Sequence, residues 1–205
     1  MYRGIFVLFF VSLFVSIQCQ VPIFGRCTNK YKPMKDFQKL KFMGKWYEAM
    51  RFYTIRDVVA SCVAVTYDRF DDGRIYVNNE YTNRLTNRRE TLTGKFKLTT
   101  GENRGVFNVH YDFIPSYIQP YIPGFVPGLV QRFDTLLSIV HTDYDNYAIL
   151  WTCRNLNQYG HLENAWLLTR EQEPSEEIMQ SAYGALDKFG MRNLFIKSSQ
   201  QNCEP

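Results

Sequence analysis

The chain has 205 residues, a hydrophobic fraction of 45% and a formal net charge of +4. Its length allows one domain with a sizeable core. The 24 basic residues nearly balance the 20 acidic ones, and Arg88-Arg89 is the only adjacent basic pair. This charge pattern excludes the basic footprint of a nucleic-acid-binding protein.

The amino terminus carries the pattern of a secretion signal. Arg3 precedes an apolar run from Ile5 to Ile17, which is about 13 residues long. A membrane span, the alternative, needs about 20 residues, whereas a signal-peptide core has this length. We therefore expect a signal peptide over residues 1–19, cleaved after Cys19, and a single secreted domain over residues 20–205.

Removal of the signal peptide leaves four cysteines, at Cys27, Cys62, Cys153 and Cys203. An even number in an oxidising compartment predicts two disulfides, and three pairings are possible. The chain has no Cys-x-x-Cys pair and no cysteine–histidine ligand spacing, so no metal site is predicted.

The body of the chain shows short β-rich runs broken by turn residues, which is typical of an all-β protein. Eight antiparallel strands of this kind can close into a barrel wide enough for one small ligand. The predicted strands are Trp46–Thr54, Cys62–Phe70, Arg74–Thr82, Glu90–Thr99, Gly105–Phe113, Thr135–Thr142, Tyr147–Cys153 and Glu163–Arg170.

The hydrophobic period then changes to that of a helix. Pro174-Ser175 favours a helix start and Gly190 a helix end. The apolar residues that share one face are Ile178, Ala182, Ala185, Leu186 and Phe189. A short final strand, Asn193–Lys197, is predicted to lead to Cys203.

Three blocks of sequence resemble the motifs of the lipocalin family, in the branch of apolipoprotein D and the insecticyanin-like bilin-binding lipocalins. They are Gly44-Lys45-Trp46-Tyr47-Glu48, Thr142-Asp143-Tyr144 and Arg170. The resemblance implies an eight-stranded antiparallel up-and-down β-barrel with one C-terminal helix packed on it. It also implies a secreted carrier of a small hydrophobic ligand, such as a bilin, a steroid, a carotenoid or a fatty acid, and not an enzyme.

The resemblance implies structural roles for the motif residues. Trp46 closes the base of the barrel, and Arg170 lies across its indole face. Gly44, Thr142, Asp143 and Tyr144 belong to the same base motif, with the last three in the turn between the sixth and seventh strands. The implied disulfides are Cys27–Cys153 and Cys62–Cys203.

Strand side chains alternate between the two faces of a sheet, so the inward position of Trp46 and Arg170 predicts the interior. Glu48 then faces inward near the base and needs a hydrogen-bonding partner or a proton. No inward arginine or lysine near the mouth is evident, and a β-bulge would reverse the assigned faces. The predicted ligand contacts are Met50, Phe52, Tyr67, Val77, Asn79, Tyr81 and Trp166.

Residues 114–130 differ from the usual connection in this branch, because they are longer and more apolar. They hold four of the chain's 8 prolines and no charged residue. By topology the segment lies at the mouth of the barrel. It is either a lid on the rim or a docking surface for a membrane, a lipoprotein or a partner chain.

Two alternative functions remain open. Some lipocalin relatives isomerise lipids with a free cavity thiol, and a secreted interaction protein could dock through residues 114–130. No Ser/His/Asp arrangement or carboxylate pair is evident. His141 is interpreted as structural, and His110 and His161 as surface or rim residues.

Overall fold

A computed structural model describes residues 23–52, 60–69, 75–98, 104–111, 133–155 and 158–203. It contains ten strands, two α-helices and one turn of 3-10 helix at Arg192–Leu194. The helices are α1 (Lys39–Phe42) and α2 (Glu176–Lys188). The strands are β1 (Ile23–Phe24), β2 (Gly44–Phe52), β3 (Ala60–Arg69), β4 (Ile75–Asn83), β5 (Arg88–Leu98), β6 (Val106–Tyr111), β7 (Phe133–Thr142), β8 (Tyr147–Asn155), β9 (Gly160–Thr169) and β10 (Phe195–Lys197).

Strands β2 to β9 form a closed antiparallel barrel. Each pairs with the next along the chain, and β9 also pairs with β2, where Tyr47 lies opposite Thr169. Among the described strands, closure leaves no long free edge. The predicted eight-stranded up-and-down barrel is therefore confirmed.

The strand boundaries differ from the predicted ones by up to three residues. β9 begins at Gly160 instead of Glu163, because its first residues pair with both β8 and the short β1. β10 begins at Phe195 instead of Asn193, because the 3-10 turn precedes it. The predicted boundaries at Thr54, Phe70, Arg74, Thr99 and Phe113 lie outside the described residues.

Helix α2 forms where the apolar period predicts it. Ser175 caps its start, because the Ser175 side chain accepts a hydrogen bond from the Ile178 backbone N–H. At the other end Gly190 has φ +64°, and the Met191 N–H donates to the Leu186 carbonyl over 3.0 Å. Ala182, Ala185 and Leu186 are buried.

The buried apolar residues of the described part form two clusters. The first lies inside the barrel and includes Trp46, Tyr67 and Val77. The second lies outside it, where α2 covers the outer face of β7, β8 and β9, and it includes Ile149 and Leu167. None of the helices in the described part of the chain has the length and hydrophobicity that a membrane crossing requires.

Both disulfides have the implied pairing. Cys27 is bonded to Cys153 and Cys62 to Cys203. The first ties the amino-terminal segment to β8, and the second ties the carboxyl-terminal segment to β3. Residues 1–22, which include the expected signal peptide, lie outside the described residues.

Candidate functional site

The base of the barrel is closed by an indole and a guanidinium. The Arg170 Cζ atom lies 3.6 Å from the centre of the Trp46 ring. Trp46 is fully buried, and its Nε1–H donates to the Phe42 carbonyl over 2.9 Å. Phe42, at the end of α1, stacks beneath with ring centres 5.2 Å from Trp46 and 5.0 Å from Tyr67. Aromatic packing of this kind makes a sealed floor.

Arg170 also connects three segments through its donors. Nε donates to the Tyr144 carbonyl, Nη1 to the Lys45 carbonyl and Nη2 to the Lys41 carbonyl, all within 3.0 Å. Its partial burial lowers the pKa of Arg170. Gly44 has φ +93°, and an added Cβ there would lie 3.4 Å from Arg170 Nη1. A glycine is needed at Gly44 because few other residues adopt this backbone conformation.

The turn Thr142-Asp143-Tyr144 holds the β7–β8 connection beside this floor. Thr142 Oγ1 donates to the Tyr147 carbonyl and accepts from the Tyr144 N–H. Asp143 Oδ1 accepts from the backbone N–H groups of Asn146 and Tyr147, each at 2.9 Å. Although burial raises the pKa of Asp143, these donors outweigh it, and the pKa lies below its ordinary value.

A β-bulge in β2 changes which residues face inward. The register between β2 and β9 shifts between Glu48 and Met50. Met50 therefore lies opposite Leu167 of the outer cluster, and Arg51 lies opposite Trp166. The bulge has one extra residue, so every later side chain of β2 changes face.

The prediction that Met50 and Phe52 line the interior is therefore wrong. Met50 belongs to the cluster beneath α2. The Phe52 ring lies 5.0 Å from that of Phe195, on the same outer face. The bulge turns these two side chains to the outer face and places Arg51, which is buried, on the inner face.

The other five candidate contacts lie on strands whose inner face is clear from the register. Tyr67 and Val77 are opposite each other and belong to the interior cluster. Asn79 lies opposite Val65, and Tyr81 follows on the same face of β4. Trp166 packs against the interior cluster from β9. All five remain candidate ligand contacts.

The partner of Glu48 is the inward arginine that sequence reasoning missed. Arg51 Nη1 lies 3.0 Å from Glu48 Oε1, and both side chains are buried. The Ser198 hydroxyl, from the segment after β10, donates to the same carboxylate oxygen over 2.6 Å. The sequence did not predict an inward Arg51, because the bulge could not be read from periodicity.

A second inner polar group lies near the mouth. Glu90 Oε2 accepts from the Tyr81 hydroxyl over 2.5 Å, and Oε1 accepts from Asn83 Nδ2 over 2.9 Å. The hydrogen bond from Tyr81, and then that from Asn83, lowers the pKa of Glu90 below its ordinary value. Sequence reasoning missed Glu90, although the hairpin register that sets Tyr81 opposite Glu90 was a usable signal.

Two of the three histidines have defined surroundings. His141 packs between Tyr147 and Phe189, and burial, followed by the charge of Lys188, lowers its pKa. His161 is 5% exposed, so it is not a surface residue, although it lies at the mouth end of β9. Pairing with β1 covers it, and its Nδ1 lies 2.8 Å from the Gly25 carbonyl oxygen.

The side chains of Cys153, His161 and Glu163 lie close enough to suggest a metal site, with ligand atoms within 4.8 Å of one another. Cys153 is disulfide-bonded, however, so its sulfur is not a thiolate. A bridged sulfur is not available as a ligand, and the group is a structural one.

Comparisons with known proteins agree with this geometry. Residues 37–125 match the model of a lipocalin-like domain, and residues 130–202 match the model of the lipocalin and cytosolic fatty-acid binding protein family. The Lazarillo protein of Schistocerca americana is 24% identical over 97% of this chain and 86% of its own length. Apolipoprotein D of Cavia porcellus is 25% identical over 76% of this chain and 72% of its own length.

Solved structures show the same fold. Insecticyanin from the tobacco hornworm Manduca sexta superposes with a TM-score of 0.70, at 19% identity, over 88% of this chain and 89% of its own. Lobster apocrustacyanin A1 superposes with a TM-score of 0.59, at 18% identity, over 86% of this chain and 94% of its own. The closed barrel with its C-terminal helix is the fold of these structures. Because the two lipocalin models together match residues 37–125 and 130–202, the chain belongs to the lipocalin family.

Proposed function

We propose that the protein is a secreted carrier that binds one small hydrophobic ligand inside its barrel. The observation that carries the proposal is the inner face itself, where apolar and aromatic side chains lie above the floor of Trp46. Ligand sites in proteins have this composition, with a few polar groups that orient the guest. Membership in the lipocalin family supports the same function.

The polar and aromatic groups on the inner face determine which chemical groups of a ligand can be bound there. Asn79 can hydrogen-bond a carbonyl, a lactam or a hydroxyl group. The Tyr81 hydroxyl donates its proton to Glu90, and its oxygen can accept from a lactam N–H or a hydroxyl group. Trp166 offers a flat surface for a ring system. A bilin, a steroid, a carotenoid or a fatty acid are the candidate classes. The absorbance spectrum of protein purified without denaturation separates them, because a visible band indicates a bilin or a carotenoid.

A titration with decanol, a neutral apolar probe, tests carriage itself. Asn79→Trp adds an indole to the inner face of β4, and Asn78→Trp adds the same group to the outer face of the same strand. We expect one decanol per chain for the wild type and Asn78→Trp, and greatly weakened binding for Asn79→Trp. Equal affinities for the two variants, or no binding by the wild type, would remove the proposal.

Secretion is part of the proposal and is supported by the two disulfides, which persist in oxidising compartments. The test is the amino-terminal sequence of the protein recovered from the medium of expressing cells. Cleavage after Cys19 gives an amino terminus at Gln20. Retention of the leader in a membrane fraction would instead indicate an anchor.

A second candidate function is docking of the mouth onto a lipid surface. Residues 114–130 lie outside the described residues, but the described part has exposed apolar side chains in the segments that connect or flank the strands at the end opposite Trp46. Phe24, Leu85 and Tyr159 are 94%, 78% and 68% exposed. Flotation with lipid vesicles tests this function by comparing the wild type, Leu85→Ser and a deletion of residues 117–126. Equal flotation of all three would count against docking.

An enzymatic alternative depends on a free thiol. All four cysteines in the described part of the chain are bridged, so they offer no nucleophile of this kind. Titration of the secreted, non-reduced protein with a thiol reagent tests the alternative. No reactive thiol supports the carrier, and one reactive thiol per chain would favour the enzyme.

A further inference from the structure

We infer that Glu90 anchors the polar end of the guest and that this end is a protonated amine. The inference rests on the proposed carrier function, and it adds a ligand class, a hydrophobic amine, that the four candidate classes above do not include. It starts from the position of one carboxylate on the inner wall of the barrel.

The register of the β4–β5 hairpin places Glu90 on the inner face. Val77, which lies in the interior cluster, pairs with Gly94, and the ladder continues without a shift to the pair Tyr81–Glu90. Cross-strand partners point to the same face of a sheet. Tyr81 lies four positions after Val77, so Glu90, its partner across the hairpin, lies about 13 Å further along towards the mouth.

Two side-chain donors hold the Glu90 carboxylate in its ionised form. Tyr81 donates to one oxygen and Asn83 to the other. Hydrogen bonds to the charged form of a carboxyl group favour that form. A carboxylate has about four lone-pair sites, so acceptor capacity remains for a further donor.

This charge has no basic partner within the part of the chain that the structure describes. Arg89 points to the outer face, where it pairs with Glu80 at 2.9 Å. Arg88 lies on the same face as Glu90, two residues nearer the turn. It is exposed and forms no ion pair with Glu90 among the described contacts. Among the described side chains, the other inward acid is Glu48, which is paired with Arg51. Within that part of the chain, Glu90 is therefore the inward carboxylate that can meet a cation on the ligand.

The interior of the barrel suits the rest of such a molecule. Val77, on the same face of the β4–β5 hairpin as Glu90, is buried, and Trp166 of β9 packs against the same interior cluster. An alkyl or ring body can lie against these groups while its ammonium group meets Glu90 near the mouth. The opposite charge type fits poorly, because a carboxylate guest in that pose would face Glu90 and be repelled.

Three probes with the same ten-carbon chain test the inference at neutral pH: decylamine, decanol and decanoate. We expect wild-type protein to bind decylamine most tightly and decanoate least tightly. In Glu90→Gln the ratio of decylamine affinity to decanol affinity should fall about tenfold, because a partly solvated charge-assisted hydrogen bond is lost. Glu80→Gln, which removes an outer-face carboxylate of the same hairpin, should leave the ratio unchanged.

The outcomes separate this inference from the proposed function. Tight decanol binding with decanoate equal to or better than decylamine would overturn the amine assignment and leave the carrier intact. An unchanged affinity ratio in Glu90→Gln would do the same. Failure of all three probes to bind would overturn both. Near-UV circular dichroism checks the fold of Glu90→Gln, and the wild-type ranking decides the question if that variant does not fold.

Discussion

The Arg170 guanidinium lies 3.6 Å from the centre of the Trp46 ring, although 124 positions separate the two residues in the sequence (170 − 46). Arg170 comes directly after the last barrel strand, and Trp46 lies near the start of the first. Their contact therefore joins the two ends of the sheet at the base. The same guanidinium donates to backbone carbonyls of Lys41, Lys45 and Tyr144, so it fixes α1 and the β7–β8 turn as well.

Replacement of Arg170 by methionine should lower the free energy of unfolding by about 2–4 kcal/mol, from loss of the cation–π contact and of charge-assisted hydrogen bonds. Urea denaturation measures this change. Arg192→Met is the matched control, because Arg192 lies 4.1 Å from the Tyr183 ring and pairs with the exposed Asp187. We expect that control to change stability by less than about 0.5 kcal/mol. Equal effects of the two substitutions would contradict a special role for the floor.

The sequence placed both Met50 and Trp166 on the inner face of the barrel. Because the bulge in β2 moves Met50 to the outer face, we expect substitutions at these two residues to have different effects. Met50→Ala should destabilise the fold by about 2–4 kcal/mol, because it empties space beneath α2, and should leave decanol affinity within about twofold. Trp166→Phe should cost less stability, yet weaken decanol binding severalfold, since it removes stacking surface from the inner wall. Stability is followed by urea denaturation and binding by titration. Loss of binding in Met50→Ala with a retained fold would show that Met50 faces the guest.

The two disulfides should act on different ends of the chain. Replacement of either cysteine pair by alanine should lower stability by about 2–5 kcal/mol, because each closes a long loop. The sequence separations are 126 for Cys27–Cys153 and 141 for Cys62–Cys203. Hydrogen exchange should show faster exchange in β10 only when Cys62–Cys203 is removed. Equal exchange of β10 in both variants would contradict this assignment.

Acid should weaken the β7–β8 turn through Asp143. The pKa of Asp143 is lower in the folded state than its ordinary value, so its contribution to stability is complete above the unfolded pKa. That contribution is lost as the pH falls through the folded pKa. Between pH 5 and 3, wild-type stability should therefore fall more steeply than that of Asp143→Asn, as measured by urea denaturation.

The control for this acid effect is Asp145→Asn. Asp145 is an exposed residue of the same turn. Unlike Asp143, its carboxylate accepts no hydrogen bond from the turn's backbone N–H groups among the described contacts. The pH profile of this variant should follow that of the wild type. An Asp143→Asn profile parallel to the wild type would indicate that the carboxylate does not couple the turn to pH.

Local sequence patterns predicted most of the fold because the relevant forces are themselves local. Short β-rich runs between turn residues marked the eight barrel strands, and a period of about 3.6 residues marked α2. The resemblance carried by Trp46, the Thr142 turn and Arg170 supplied the barrel base and both disulfide pairings, and the structure confirms these contacts.

The sequence could not show features that depend on pairing between distant strands. The bulge at Glu48–Met50 arises where β2 meets β9, and it moved Met50 and Phe52 outward and Arg51 inward. The burial of His161 likewise depends on β1, a strand of 2 residues that is too short to leave a periodic signal. Each of these features changes the site without changing the strand pattern.

A crystal structure of the protein with a terminally brominated decanol tests the central claim most directly. We expect one anomalous bromine peak per chain, inside the barrel and above Trp46, against the interior cluster that includes Val77. A bromine peak beneath α2, or no ordered bromine from a probe that binds in solution, would contradict an interior site.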